Sequence, residues 1–176
     1  MLILRDMSES DIEDYVKWFT TETEWGSWDA PWEPFEDNEN SVRQQWTQTF
    51  NYLNNYSSER EKYRFEIELD GKHIGWVGSY RDMEYIENHN NIPVIGITIP
   101  SVSHRRNGNG TKALTQFIDY WKSLGYTQLY TQTWSGNYPM IKLAEKLGFR
   151  EILRKKNFRT VNGKKYDAIT FRLDLQ

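Results

Sequence analysis

Residues 93–121 constrain the fold of this chain more than any other stretch. They begin with PVIGITIP, an apolar and β-branched run bounded by prolines, which predicts a buried strand. They end with TKALTQFIDYW, which places Leu114, Phe117, Ile118 and Trp121 on one face of a helix. The ten residues between them, SVSHRRNGNG, must therefore form a tight connection from a strand into a helix.

This connection has the composition of an anion site. Gly108 and Gly110 allow the backbone to approach a ligand without a Cβ in the way, and Arg105 and Arg106 add positive charge. The helix start adds N–H groups that have no partner within the helix, together with the positive end of the helix dipole. A diphosphate is the natural occupant of such a turn. The alternative is a glycine-rich turn that binds nothing.

Two motifs in order resemble the GNAT N-acetyltransferase family. Residues 105–110, RRNGNG, resemble its Arg/Gln-x-x-Gly-x-Gly/Ala signature. Residues 137–149, NYPMIKLAEKLGF, resemble its Asn-x-x-(Ala/Ser)…Glu-Lys-x-Gly-Phe segment. The whole chain is most similar to the branch that holds the ribosomal-protein and antibiotic (aminoglycoside 6′-type) acetyltransferases.

The resemblance implies acetyl-CoA as co-substrate. In the family the loop amides bind its pyrophosphate, and its pantetheine arm lies in a gap between two parallel strands, here 93–99 and 127–134. The implied cofactor-binding residues are Ile99, Ser101, Val102, Arg105, Arg106, Gly108, Asn109, Gly110, Thr111 and Asn137. Four of these residues have plain structural alternatives: solvated charges for the two arginines, a helix-start residue for Thr111, and a helix N-cap for Asn137.

The expected proton donors of the family are missing here. Many relatives carry a Tyr at the position of Ala144 and a Ser at the position of Met140, and many place a Glu on the strand at 93–99, which has no carboxylate. Other side chains must then serve, or water must. The predicted candidates are Tyr138 as the acid and Asp82 or Glu84 as the base, with Glu22, Glu24 and Asp29 as further bases.

Residues 22–37 predict the acceptor. They place four aromatic rings among six carboxylates, and this combination suits a cation. In the resembling family the segment after the first helix lines the acceptor side of the cleft. The predicted substrate-binding residues are Glu24, Trp25, Trp28 and Asp29. The alternative is a lid whose tryptophans pack on the core.

The acceptor predicted in this way is a small cationic amine, aminoglycoside-like or polyamine-like. Two other functions stay open at this point. The first is acetylation of a peptide or protein amino terminus, as by the ribosomal-protein acetylases. The second is acyl-CoA binding without catalysis, which the missing Tyr and Ser leave open.

The rest of the chain fits one GNAT domain spanning residues 1–176. The pattern predicts the order β-α-α-β-β-β-α-β-α-β-β, with hairpin turns at Asp70-Gly71 and Asn162-Gly163. The expected fold is α/β, with one mixed, mostly antiparallel sheet and helices on both faces. Another three-layer α/β arrangement is the alternative, but it gives no reason for the paired hairpins.

Composition excludes several classes of protein. The net charge of −3 disfavours nucleic-acid binding, and the chain has no cysteine for a disulfide, a thiol nucleophile or a cysteine metal site. His73, His89 and His104 show no metal-binding spacing, so no metal is predicted. No apolar run is long enough for a bilayer and the start does not read as a signal peptide, so we expect a cytoplasmic monomer or homodimer without membrane partners.

Overall fold

The computed structural model describes residues 1–33, 35, 38–55, 61–81 and 91–175 of the chain. Its strands are β1 Leu2–Arg5, β2 Arg64–Leu69, β3 Lys72–Tyr80, β4 Val94–Thr98, β5 Gln128–Trp134, β6 Arg150–Val161 and β7 Lys164–Asp174. Its α-helices are α1 Asp11–Thr20, α2 Gly26–Asp29, α3 Glu39–Asn55, α4 Asn109–Ser123 and α5 Tyr138–Lys146. Single 3₁₀ turns lie at Thr23–Trp25 and Val102–His104.

The strands form one sheet in the order β1-β2-β3-β4-β5-β7-β6. Every neighbouring pair is antiparallel except β4 and β5, which run parallel. The parallel pair is in register only at Val94 and Tyr130, and the two strands then diverge. The predicted mixed, mostly antiparallel sheet is confirmed, and the divergence opens a gap in its middle.

Two hairpins close at the predicted turns. The φ angles are +49° and +78° at Asp70 and Gly71, and +50° and +77° at Asn162 and Gly163. Two successive residues in the left-handed region are the signature of a type I′ turn, whose twist matches that of paired strands. These turns join β2 to β3 and β6 to β7.

Two apolar clusters cover the sheet. One gathers α4 and α5 over strands that include β2, β4 and β5, with Leu114, Phe117 and Trp121 almost fully buried. The other joins α1 to α3 through Tyr15 and Trp46. Consecutive residues of β3, Val77 and Trp76, pack against the first and second cluster respectively. Because side chains alternate along a strand, the helices lie on both faces, as predicted.

Helix α1 begins at Asp11. The Ser8 backbone N–H donates to the Asp11 carboxylate over 2.7 Å, which is one half of a capping box. Residues 22–33 contain two single helical turns, at Thr23–Trp25 and Gly26–Asp29. Among the described residues no helix is both long enough and apolar enough to cross a bilayer.

Candidate functional site

The turn between β4 and α4 is open on the side of the helix start. Gly108 precedes α4 with φ +79°, and a Cβ added there would meet no atom within 4 Å. No side chain caps α4, so the N–H groups of its first turn, at Asn109, Gly110 and Thr111, remain available to a ligand. The turn therefore fits the anion that its sequence predicted.

Side chains within the turn stabilise its shape. The Asn109 side chain is buried and donates to the carbonyl of His104 over 3.0 Å, so only its backbone can serve a ligand. The Ser101 and Ser103 hydroxyls lie 2.9 Å apart, and Val102 is exposed. Arg106 is exposed with φ +62°. Its charge stands in solvent beside the helix start, where a phosphate contact is compatible with the geometry.

Arg105 is engaged away from the open side of the turn. Its Nε donates to the carbonyl of Ile99 over 2.7 Å, and its guanidinium also bonds the carbonyl of Pro100. A third contact, 2.6 Å long, joins Nη1 to Oε2 of Glu24. The side chain that was expected on a phosphate therefore fastens the end of β4 to the loop after α1.

A cleft of about 260 Å³ lies where β4 and β5 diverge. It is the place that the family resemblance assigned to the pantetheine arm and the thioester. Its lining residues are Asp29, Ala30, Trp32, Tyr80, Gly96, Ile97, Thr131, Gln132, Thr133, Trp134, Asn137, Met140, Arg159 and Ala168.

The floor of the cleft contains Gly96 and is bridged by a hydrogen-bond chain. A Cβ at Gly96 would meet no atom within 4 Å, so any side chain there would project into open space. The Tyr80 hydroxyl donates to Oε1 of Gln132 over 3.0 Å, and Nε2 of Gln132 donates to the Thr170 hydroxyl over 3.1 Å. This chain joins β3, β5 and β7 past the gap, which fixes the width of the cleft.

Two further cleft residues carry polar groups that a ligand can use. The Oδ1 atom of Asn137 accepts from the Met140 backbone N–H over 3.1 Å, so Asn137 caps α5 while its amide group borders the cleft. Both roles predicted for Asn137 are thus compatible. Thr131 is 1% exposed, and its hydroxyl has no hydrogen-bond partner in the described part of the chain.

The loop after α1 divides its aromatic residues between core and cleft. Trp25 is buried, with its ring against Phe19, Phe35 and Trp76 and its Nε1 donating to the carbonyl of Trp18 over 2.8 Å. Trp25 therefore belongs to the core, and the prediction that it lines the acceptor side of the cleft is wrong. For this residue the lid alternative describes the packing correctly.

Of the four residues predicted to bind the acceptor, only Asp29 lines the cleft. Glu24 accepts from Nε1 of Trp28 over 2.8 Å and from Arg105, and although burial opposes them, these contacts lower the pKa of Glu24. The carbonyl of Trp28 accepts from Nε1 of Trp134 over 2.7 Å. Glu24 and Trp28 thus hold the loop against the site. Asp29 is exposed at the surface, yet many protein atoms lie around it, and the partial loss of water, followed by the charge of Glu33, raises its pKa.

Of the predicted acid and bases, Asp29 is the one described residue that lies in the cleft lining. Tyr138 begins α5 with 60% of its surface exposed and is absent from the cleft lining. Asp82 and Glu84 lie outside the described residues, so their roles stay predictions. Ala144 is fully buried, and Met140 lines the cleft. Neither of the two positions where relatives carry Tyr and Ser supplies a proton donor here, and of the two only Met140 lies in the cleft lining.

Comparison with known proteins identifies the family of the chain. Residues 1–150 match the model of the acetyltransferase (GNAT) domain. No curated protein matches the chain. Among solved structures, one that resembles the chain is RimL, the ribosomal L7/L12 alpha-N-protein acetyltransferase in complex with coenzyme A. The TM-score is 0.76 at 16% identity, over 99% of this chain and 94% of RimL.

Two further structures share the fold at similarly low identity. Ribosomal-protein-alanine N-acetyltransferase from Brucella melitensis has a TM-score of 0.69 at 19% identity, over 98% of this chain and 99% of its own. YncA from Salmonella typhimurium, with its cofactor acetyl-CoA, has a TM-score of 0.68 at 16% identity, over 99% and 94%. Because the family model spans most of the chain and the fold agrees throughout, the chain belongs to the GNAT acetyltransferase family.

Proposed function

We propose that the chain acetylates a small primary amine that enters the cleft between β4 and β5 as an ammonium ion. As a GNAT acetyltransferase it takes the acetyl group from acetyl-CoA. The observation that carries the acceptor side is Asp29, a carboxylate in the cleft lining that no ion pair to a described residue neutralises. Its negative charge suits an ammonium group.

Asp29 also has the properties of a proton acceptor. The amine nitrogen must lose a proton before its lone pair can form a bond to the acetyl carbon. Burial and the charge of Glu33 raise the pKa of Asp29, which makes this carboxylate a stronger base than an ordinary Asp. Bound acetyl-CoA supplies an activated acetyl group, and the electron pair of the broken C–S bond leaves on sulfur. The buried Thr131 hydroxyl can donate a hydrogen bond in the same gap.

Residues 22–37 predicted an acceptor with several positive charges, and the positions of their acidic side chains support fewer. Glu24 is paired with Arg105, and Glu36 and Asp37 lie outside the described residues. Asp29 is thus the single described acid of that segment in the cleft lining. An acceptor with one ammonium at Asp29 is supported better than one with many.

Acetylation of a protein amino terminus is the second candidate. The likeness to RimL and to the Brucella melitensis enzyme favours it, since both act on ribosomal proteins by name. Release of free thiol from acetyl-CoA, measured with small amines and with short peptides, separates the two candidates. Asp29→Asn should lower turnover of the best amine about 100-fold and leave acetyl-CoA binding intact. Retained turnover would contradict the role of Asp29.

Cofactor binding has its own test at the turn. Gly108→Val should abolish the thermal stabilisation by acetyl-CoA, because a branched side chain would fill the open space beside the helix start. Gly163→Val is a matched control, since Gly163 has φ +77° and open space around it but lies in the distant β6–β7 hairpin. Both variants bear similar backbone strain. If both keep the full shift, the turn does not bind acetyl-CoA.

A further inference from the structure

Arg159 reaches the cleft because β6 is irregular at this point. On β6, Lys155 and Arg159 are four positions apart, whereas their partners on β7, Ala168 and Tyr166, are two positions apart. Extra residues of this kind bend a strand and re-aim its side chains. Asp167 holds the bulge by accepting from the Asn157 backbone N–H over 3.0 Å. A bulge fastened in this way presents Arg159 to the cleft lining.

Aromatic stacking holds the guanidinium of Arg159. Its Cζ lies 4.7 Å from the ring centroid of Trp32 and 4.6 Å from that of Phe158. Trp32 in turn packs edge-on against Trp134, 5.9 Å away. Stacking covers the faces of the guanidinium and leaves its N–H edge for a planar anion. No carboxylate among the described residues pairs with Arg159, whereas the neighbouring Arg154 pairs with both Glu151 and Asp167.

The cleft therefore contains two opposite charges that do not neutralise each other. Asp29 and Arg159 both line it, yet no ion pair joins them. The pKa of Asp29 is raised rather than lowered, which agrees with the absence of a close cation. The volume is small as well: about 260 Å³, below the range of about 300–1,000 Å³ for ligand pockets, and the thioester end of acetyl-CoA must share it with the acceptor. The complement of this cleft is a small molecule that carries both charges.

We infer that the acceptor is an amino acid or a similarly small amine that carries a carboxylate, with its ammonium at Asp29 and its carboxylate on the N–H edge of Arg159. This inference rests on the proposed function and narrows it. A guanidinium binds a carboxylate through two parallel hydrogen bonds, which fixes orientation as well as charge. Arg159 is thus a specificity-determining residue that selects carboxylate-bearing amines over plain polyamines and over the amino terminus of a long peptide.

Matched amine pairs test the inference. Ornithine and putrescine share one carbon chain and differ by a carboxylate, as do phenylalanine and phenethylamine. For each pair kcat/KM is measured by thiol release. The carboxylate-bearing member should be better by about tenfold or more, and Arg159→Gln should lower its kcat/KM about 10- to 100-fold, the scale of a lost charged hydrogen bond. The decarboxylated member has no carboxylate for Arg159, so its kcat/KM should not fall, because loss of a positive charge does not oppose an ammonium group. Arg159→Lys should restore part of the loss.

Arg172→Gln is the control, because Arg172 lies on β7 outside the cleft lining and pairs with Asp174. It should change neither member of a pair. Equal rates for ornithine and putrescine, or an equal loss for both with Arg159→Gln, would overturn the inference while leaving amine acetylation standing. If only peptides gave thiol release, or if none of the tested amines did, the proposed acceptor class would be overturned and the inference with it.

Discussion

Two groups of charged residues lie beside the sheet, and they differ in how completely they are paired. The first, the Glu66 network, consists of Arg5, Asp11, Tyr15, Arg64, Glu66 and His73 next to α1. The second is the cleft between β4 and β5, with Asp29, Arg159 and Thr131. Both contain charges or hydroxyls in protein surroundings. In the network each charge has partners, whereas in the cleft these three groups have no ion-pair or hydrogen-bond partner among the described residues.

Glu66 shows how complete the pairing of the network is. It is fully buried and accepts hydrogen bonds from Tyr15, from Nε2 of His73 at 2.9 Å and from Nε of Arg64 at 3.0 Å. Burial opposes its ionisation, yet the hydrogen bond from His73 and the charge of Arg64 lower the pKa of Glu66. The guanidinium of Arg64 also stacks on Trp46, with Cζ 4.8 Å from the ring centroid. Such saturation is typical of a structural network.

One cluster within the Glu66 network has the composition of a metal site. Asp11, Asp14 and His73 bring their ligand atoms within 4.8 Å of one another. However, both carboxylate oxygens of Asp11 already accept from Arg5 at 2.7 Å. Hydrogen bonds to Asp14 and Glu66 outweigh the effect of burial and raise the pKa of His73 to about 9, so its ring is protonated at neutral pH. These groups therefore already bind one another, and a metal would have to displace the proton of His73 and the guanidinium of Arg5.

The largest effect should come from breaking the network at Glu66. Glu66→Gln removes the carboxylate that pairs with the buried guanidinium of Arg64 and one of the carboxylates that pair with His73. Removing one partner of a buried ion pair typically lowers the free energy of unfolding by about 3–5 kcal/mol, which urea denaturation can measure. Glu151→Gln is the control, because it breaks a largely exposed pair with Arg154 and should cost less than about 1 kcal/mol. If the two variants lost the same free energy of unfolding, the buried network would stabilise the fold no more than an exposed ion pair does.

The next effect should appear as a pH dependence of stability. The pKa of His73 rises from 6.5 to about 9 on folding, so its contribution is complete below pH 6.5 and is lost as pH rises to about 9. At about 1.4 kcal/mol per pKa unit, the free energy of unfolding should fall by about 3 kcal/mol across this window. Urea denaturation of His73→Gln should give a lower value at pH 6 and a flatter profile from pH 6.5 to 9. An unchanged slope would exclude His73 as its cause.

Local sequence patterns were sufficient to predict most of the fold. Asp70-Gly71 and Asn162-Gly163 determine their turns through their own backbone preferences, and the apolar face of α4 follows from its helical spacing. The open turn at Gly108 was predictable for the same reason, since it depends on residues adjacent in the chain.

The acceptor side of the cleft was less predictable because distant residues decide it. Trp25 and Trp32 lie in similar sequence surroundings. Trp25 packs in the core against the ring of Trp76 on β3, whereas Trp32 packs against the guanidinium of Arg159. Arg159 itself gave no signal, since its position depends on a bulge held by Asp167. Such tertiary contacts override local preference.

The smallest effect on stability should be seen at Thr131, where a substitution should stabilise the protein instead of destabilising it. A buried hydroxyl without a partner costs free energy in the folded state, so Thr131→Val, which keeps the shape and removes the hydroxyl, should raise the free energy of unfolding by about 1 kcal/mol in the absence of acetyl-CoA. The hydroxyl should gain a partner when the gap is filled. The variant should therefore show a smaller thermal shift with acetyl-CoA or a lower kcat.

Thr170→Val is a matched control for this substitution, because Thr170 is equally buried but its hydroxyl accepts from Nε2 of Gln132. Loss of that bond should lower stability rather than raise it. The two variants thus distinguish a saturated hydroxyl from an unsaturated one within the same region. If Thr131→Val is destabilised as much as Thr170→Val, the Thr131 hydroxyl is satisfied in the folded protein, and unpaired groups no longer distinguish the cleft from the network.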